Sequence, residues 1–226
     1  MDDFSISLNV EWKTFDTFFA LDSFERYLKE NERLILDAAN IEELTHRPDW
    51  KPVTQEEYAE YSAEVRGVRH LHEEIMTPVF RYSCVVILYA ILEREIRRFI
   101  ETLAKERKLK KVSYKEFRGS LFEQVNRFGS AFCDLTITDI PEYPALIDFQ
   151  KVRDCIVHCY GDISMSKDKR ELQRIGKAKL GLVCDSEAQF EIERIYIESS
   201  LICIQKFFLH LFQRVNWKID ESWQTK

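Results

Sequence analysis

The sequence predicts a mainly α-helical protein: a helical bundle with a small β-hairpin near its C-terminal end. Three observations predict it. The 226-residue chain has only 6 Gly and 5 Pro with 45% hydrophobic residues, a composition suited to long uninterrupted elements. Apolar residues recur at helical spacing over most of its length. Two sequences of the form Ser/Thr-x-x-Glu, Thr54–Glu57 and Ser113–Glu116, mark helix starts by reciprocal capping.

Taken in order, Phe4 to Trp12 alternates apolar and polar residues with period two and reads as a strand. From about Asp16 to Leu44 the period becomes helical, with Phe18, Leu21, Phe24, Leu28, Ile35 and Leu36 at apolar positions. The stretch from His46 to Val53, with Pro48 and Pro52, interrupts it. A helix capped at Thr54 runs toward Met76, and Pro78 marks a kink or boundary. Residues 79–108 form the most hydrophobic helix. Its run from Cys84 to Leu92 is apolar nearly all round, which places it at the centre of a bundle.

Ser113 caps the next helix, read to about Asp134, and the segment Pro141–Pro144 is a linker. A helix follows from about Pro144 to Tyr160, where Gly161 supplies the stop. Residues 162–179 are polar. Leu180–Cys184 and Gln189–Ile192 flank a turn at Asp185–Ala188 and read as a hairpin. The N-terminal strand is the candidate to pair with it, because an isolated hairpin is marginal. A last helix spans about 194–215. Residues 1–75 divide off as a strand and helical extension packed on the core, and 76–226 as the helical domain.

Six scattered cysteines without a C-x-x-C pair argue against a zinc ribbon or thioredoxin-like site and for reduced thiols. The acidic start Met1-Asp2-Asp3 is unlike a signal peptide. The longest apolar run, Cys84 to Leu92, is far shorter than the ~20 residues of a membrane span. The expectation is a cytoplasmic protein with no membrane partner. No Gly-rich phosphate loop or dinucleotide fingerprint is present, and no cofactor is expected. A net charge of −6 excludes a general nucleic-acid coat protein. Yet residues 94–118 carry ten Lys/Arg against four Glu, a local +6, so the remainder carries −12. Arg94, Arg97, Arg98, Lys105 and Lys108 therefore form a candidate RNA-contacting rim, or else a solvated helix end.

The helix bearing Arg153, Asp154 and His158 is the candidate site. At about 100° per residue, Phe149, Val152, Ile156, Cys159 and Tyr160 share a core face, while Lys151, Asp154 and His158 lie opposite. Asp154 and His158 are four apart, so the carboxylate can orient the imidazole. Arg153 and His158 are five apart, about 140° around the helix, and do not project together. A site using both needs an arginine folded round the helix, or a second helix from a two-fold dimer. RNA brings its own nucleophile, the 2′-hydroxyl. A histidine titrating near ~6.5 can take that proton, and an arginine can stabilise the charge that builds on phosphorus, with no metal required. The same residue types equally fit an arginine paired with acids on neighbouring helices and a histidine at a helix C-terminus. Cys155, His158 and Cys159 lie within one turn, but the cysteines share the core face and His158 does not, so no metal site is read there.

The run Arg153-Asp154-Cys155-Ile156-Val157-His158-Cys159-Tyr160-Gly161 resembles the signature of the HEPN (higher eukaryotes and prokaryotes nucleotide-binding) family. That signature is Arg, a polar residue, three more residues, then His, often followed by x-Tyr-Gly. Tyr89 to Ile96 is similar to the family's core helix, and the likeness covers roughly residues 79–215. The resemblance implies a HEPN-like antiparallel helical bundle that forms a homodimer through the motif helix. Many members are metal-independent endoribonucleases in toxin–antitoxin, phage-defence or RNA-processing systems. On that likeness Arg153 and His158 are catalytic and Asp154 takes the polar second position, which is often Asn in the family. Tyr160 matches the tyrosine of toxins paired with a nucleotidyltransferase antitoxin, although this chain is longer than those compact toxins. Glu93 supports the site from the adjacent helix. The implied partners are an RNA substrate, a second copy, and an antitoxin or regulatory protein. Other members are non-catalytic and bind a nucleotide or a protein.

Overall fold

The computed structural model describes residues 4–45, 51–109, 112–184, 189–219 and 223, and within the first stretch the side chains of residues 13–38. Helix α1 spans Phe4–Thr45. The alternating segment Phe4 to Trp12 is thus the first turns of a helix, not a strand. The physical reason is one of partners: a strand must find an external ladder, whereas a helix satisfies its own backbone. The hairpin offers little ladder to join, being two residues per strand. Its strands β1 (Leu182–Val183) and β2 (Glu191–Ile192) pair antiparallel with each other. The turn Asp185–Ala188, most of the proline-rich break at 46–50, and Lys110 and Lys111 lie outside the described residues.

Helix α2 (Gln55–His70) starts where the capping box places it, with Thr54 and Glu57 exchanging side-chain and backbone hydrogen bonds. Pro78 does not end the helix. A π-helical turn, Leu71–Met76, joins α2 to α3 (Thr77–Glu106) without a break. The wider turn loosens the ladder just upstream of the proline ring, which would otherwise press on a carbonyl four residues back. The Ser113 box, by contrast, caps only a 3₁₀ turn, Tyr114–Glu116. Gly119, at φ +113°, then redirects the chain, and a box from Ser120 to Glu123 opens α4 (Leu121–Phe132). Helix α5 covers Tyr143–Cys159, α6 Lys169–Ala178 and α7 Arg194–Arg214. The polar segment after Gly161 thus contains a helix whose Leu172 and Ile175 alone reach the core.

Helix α3 is the centre. Cys84, Val85, Leu88, Leu92 and Ile100 are fully buried on the face that meets α1, α5 and α7. Phe18, Leu21, Phe24 and Leu28 of α1 belong to the same continuous core as Phe207, Phe208 and Phe212 of α7. Ile35 and Leu36, expected in that core, lie at its margin, and Leu36 is exposed. The helical stretches Gln55–Glu106 and Arg194–Arg214 are long and apolar enough to cross a membrane by length and composition. Here α3 and α7 turn Leu88, Leu92, Ile204 and Phe208 into this core.

One buried ion pair ties four elements, α1, α3, β2 and α7. Glu32 of α1, 3% exposed, accepts from Arg81 Nε at 2.8 Å and Nη2 at 2.6 Å. Arg81 Nη1 donates to the Ile192 carbonyl in β2, and Arg194 at the start of α7 lies 3.5 Å from the same carboxylate. Removing one member of such a pair strands a buried charge, whereas removing both does not. Arg81→Leu is expected to lower stability by ~3 kcal/mol in urea denaturation, and Glu32→Leu/Arg81→Leu to recover most of it.

Candidate functional site

The end of α5 is fixed by one close contact. Tyr160 adopts a left-handed conformation, φ +51°, and Gly161 follows at φ +78°. A Cβ on residue 161 would run into the Tyr82 hydroxyl, so the backbone can pass there only as glycine. That hydroxyl donates to the Phe190 carbonyl at 2.6 Å. The Phe190 N–H in turn donates to the Gly161 carbonyl at 3.0 Å, locking helix end and hairpin together.

Arg153 is four-fifths buried and held on three sides. Its guanidinium lies 4.0 Å from the centroid of the Tyr89 ring. It donates to Asp154 at 2.6 Å and faces Glu93 at 3.6 Å. Glu93 also meets Arg97 at 3.6 Å. The cluster therefore balances two arginines against two carboxylates. Burial pushes the Tyr89 hydroxyl above its ordinary range, reinforced by Glu93 and opposed by Arg153, so the ring stays neutral beneath the cation.

The structure brings together Arg153, Asp154 and Glu93, but not Arg153 and His158. Asp154 gives its oxygen to Arg153 rather than to the imidazole four residues on. Proximity of the long guanidinium decides this, since its reach overcomes the divergence of neighbouring positions. His158 is exposed and has no hydrogen-bond or ion-pair partner among the described residues. Tyr160, read from the helical wheel as a core residue, is 58% exposed, because the left-handed step swings it off the helix. Its ring stands edge-on to Tyr82, centroids 5.9 Å apart at 76°. Cys155 is buried, and burial, aided by Cys159, pushes its thiol up to about 12. It is a packing residue rather than a nucleophile.

The basic stretch is divided. Arg94 pairs with the buried carboxylate of Glu95 at 2.7 Å, and Arg98 pairs with Asp16 of α1. Arg97 belongs to the Arg153 cluster. Lys105 is exposed in the last turn of α3, and Lys108 lies just beyond it at φ +57°. Of these five, Lys105 and Lys108 remain as a solvated rim. Tyr89 was missed by reading the sequence, although the spacing Tyr89–Glu93–Arg97, one residue per turn on a single face, is a detectable signal.

Comparison with known protein families, with curated proteins and with solved structures finds no match.

Two outcomes follow from the contact at Tyr82. Gly161→Ala is expected to destabilise by ~1–3 kcal/mol, read as a lower urea midpoint, because both the positive φ and the phenol oppose a side chain. Burial pushes the Tyr82 phenol from its ordinary 10.0 up to about 12. A raised folded value means the protonated form is favoured by folding. That contribution is complete below pH 10 and is lost as pH rises through about 12. Tyr82→Phe should flatten this alkaline loss in thermal melts taken from pH 9 upward.

Proposed function

We propose that the protein is a metal-independent endoribonuclease whose site is completed by a second copy of the chain. The observation that carries the reading is His158, exposed and without a partner among the described residues, on the same helix that holds Arg153 against Tyr89. The Arg-polar-x-x-x-His spacing and its likeness to the HEPN signature supply the reaction class. Position 157 is four residues after Arg153 on the same helical face, and Val157 is 50% exposed there. An exposed apolar side chain beside the arginine suits a two-fold contact.

In the reaction, His158 of one copy takes the proton of a ribose 2′-hydroxyl. The 2′-oxygen bonds to phosphorus, the bond to the 5′-oxygen breaks, and the imidazolium of the second copy protonates that leaving oxygen. The products are a 2′,3′-cyclic phosphate and a 5′-hydroxyl. Arg153, released from Glu93 and Asp154 by the incoming phosphate, stabilises the charge on the non-bridging oxygens. Glu93 and Asp154 position the arginine rather than touch the substrate, and Lys105 and Lys108 contact the RNA backbone. An antitoxin or other regulatory protein is the partner this activity would require in a cell.

One observation favours a second reading. The charge of Arg153 is already balanced by Glu93 and Asp154. An arginine so occupied fits a non-catalytic module that binds a nucleotide or a protein.

Cleavage of total RNA in excess EDTA separates the two. Wild type is expected to cleave, and His158→Ala and Arg153→Ala to lose ~100-fold or more, with dimers retained in light scattering. Intact dimers without cleavage in any of the three would favour the binding module, and equal cleavage in all three would remove both residues from the chemistry. Asp154→Asn is expected to retain activity within ~10-fold, since an amide oxygen can still accept from the guanidinium.

A further inference from the structure

A second concave site lies beside the end of α5, away from the Arg153 cluster. It encloses about 490 Å³ between the π-helical turn, the first turn of α3, Tyr160 and the strand segment at 189–192. We propose that it binds an organic cation, a guanidinium or primary ammonium carried on an alkyl chain.

Two features point to that chemistry. Tyr82 and Tyr160 both line the cavity, and their rings meet nearly at right angles, 76°. Tyr160, 58% exposed and backed by the largely buried ring of Tyr82, offers a π-surface of the kind that receives a cation through the ring quadrupole. Glu73, Glu74 and Glu191 also line the cavity. Glu74 is shared with His70 at 2.9 Å. The side chains of Glu73 and Glu191 are exposed and have no hydrogen-bond or ion-pair partner among the described residues. Arg81 also reaches the cavity, but its charge is matched by Glu32 and its third nitrogen is taken by the Ile192 carbonyl. The surplus charge facing the cavity is therefore negative.

The ligand class can be narrowed further. Among the described residues no group of three or more His, Cys, Asp or Glu is arranged to hold a metal ion. Carboxylates that form no such group suit the several N–H donors of a guanidinium or a polyamine better than the tight shell of an inorganic ion. A phosphate or carboxylate ligand would meet the unpaired glutamates. The aromatic corner supplies the apolar surface that an alkyl chain needs. The left-handed step at Tyr160 is what turns its ring toward this corner. The inference does not depend on RNA cleavage, because it is read as binding.

Isothermal titration of the full chain with spermidine, and separately with a capped arginine-containing tripeptide, tests it. One-site saturable binding is expected, with Kd on the order of 0.1–1 mM. Spermidine alone binding would assign the pocket to free polyamines, and the peptide alone to an arginine side chain of another protein. Glu73→Gln/Glu191→Gln should weaken binding ~10-fold, and Tyr160→Leu should weaken it several-fold while Tyr160→Phe stays within about twofold. These positions are exposed, so thermal melts should match wild type. The proposal is overturned if neither cation saturates by about 10 mM, or if the double glutamine variant binds as wild type does, which would leave only diffuse attraction to an acidic protein.

Discussion

The Tyr82 hydroxyl is the point on which the end of α5 and the hairpin beside it depend. It is buried on α3, it donates to the Phe190 carbonyl, and it leaves room beside it for no side chain at residue 161. The motif helix must therefore end where it does, and the following strand segment must lie where Phe190 can receive the proton. Tyr160 is then thrown outward by its left-handed backbone and lodges edge-on against the same ring. One phenol thus positions a helix terminus, a hairpin and an exposed aromatic. Its hydroxyl sets the first two by hydrogen bonding and exclusion, and its π-face sets the third.

Helix α3 distributes charge as well as burying surface. Its inner face is apolar, but its flanks carry carboxylates that each collect arginines. Glu95, almost fully buried, accepts from Thr17 of α1 and from Arg94. Glu93 lies between Arg97 and Arg153. Glu32, on α1, draws in Arg81 and Arg194. The local excess of positive charge at 94–118 is reduced in three dimensions by two acids from outside that stretch, Glu93 and Asp16. Arg98 ties α3 to α1 through Asp16, whereas Arg94 and Arg97 pair with Glu95 and Glu93 of their own helix.

How far the sequence made this legible depends on whether the deciding contact was local. The Thr54 cap was readable because both partners lie within four residues and nothing downstream opposes them. The Ser113 cap used the same residues and produced only a 3₁₀ turn, since Gly119 offers the chain an exit that the capping pattern does not register. The segment Phe4 to Trp12 alternates as a strand does, yet the sheet it would join is two residues deep, a fact absent from its own sequence. Pro78 signalled a break, and the π-turn before it absorbed the strain instead. At the site, the divergence of Arg153 and His158 was contained in their spacing. The capture of Asp154 by Arg153 was not, because it depends on Tyr89 and Glu93 holding the guanidinium from another helix.

That capture bears on what the motif can do. A five-residue separation on a regular helix keeps Arg153 and His158 about 140° apart however the side chains turn. The aromatic platform and two carboxylates further hold the arginine on the α3 side. A single chain therefore offers a phosphate either the base or the cation, not both. In the dimer proposed above, a two-fold axis running beside α5 would resolve this without altering either helix, by setting the histidine of one copy across from the arginine of the other. Such an axis would also give a reason for keeping the arginine neutralised in the isolated chain. On the proposed reading, Glu93 and Asp154 would hold it in position until a phosphate, entering between two copies, supplied a better-matched anion.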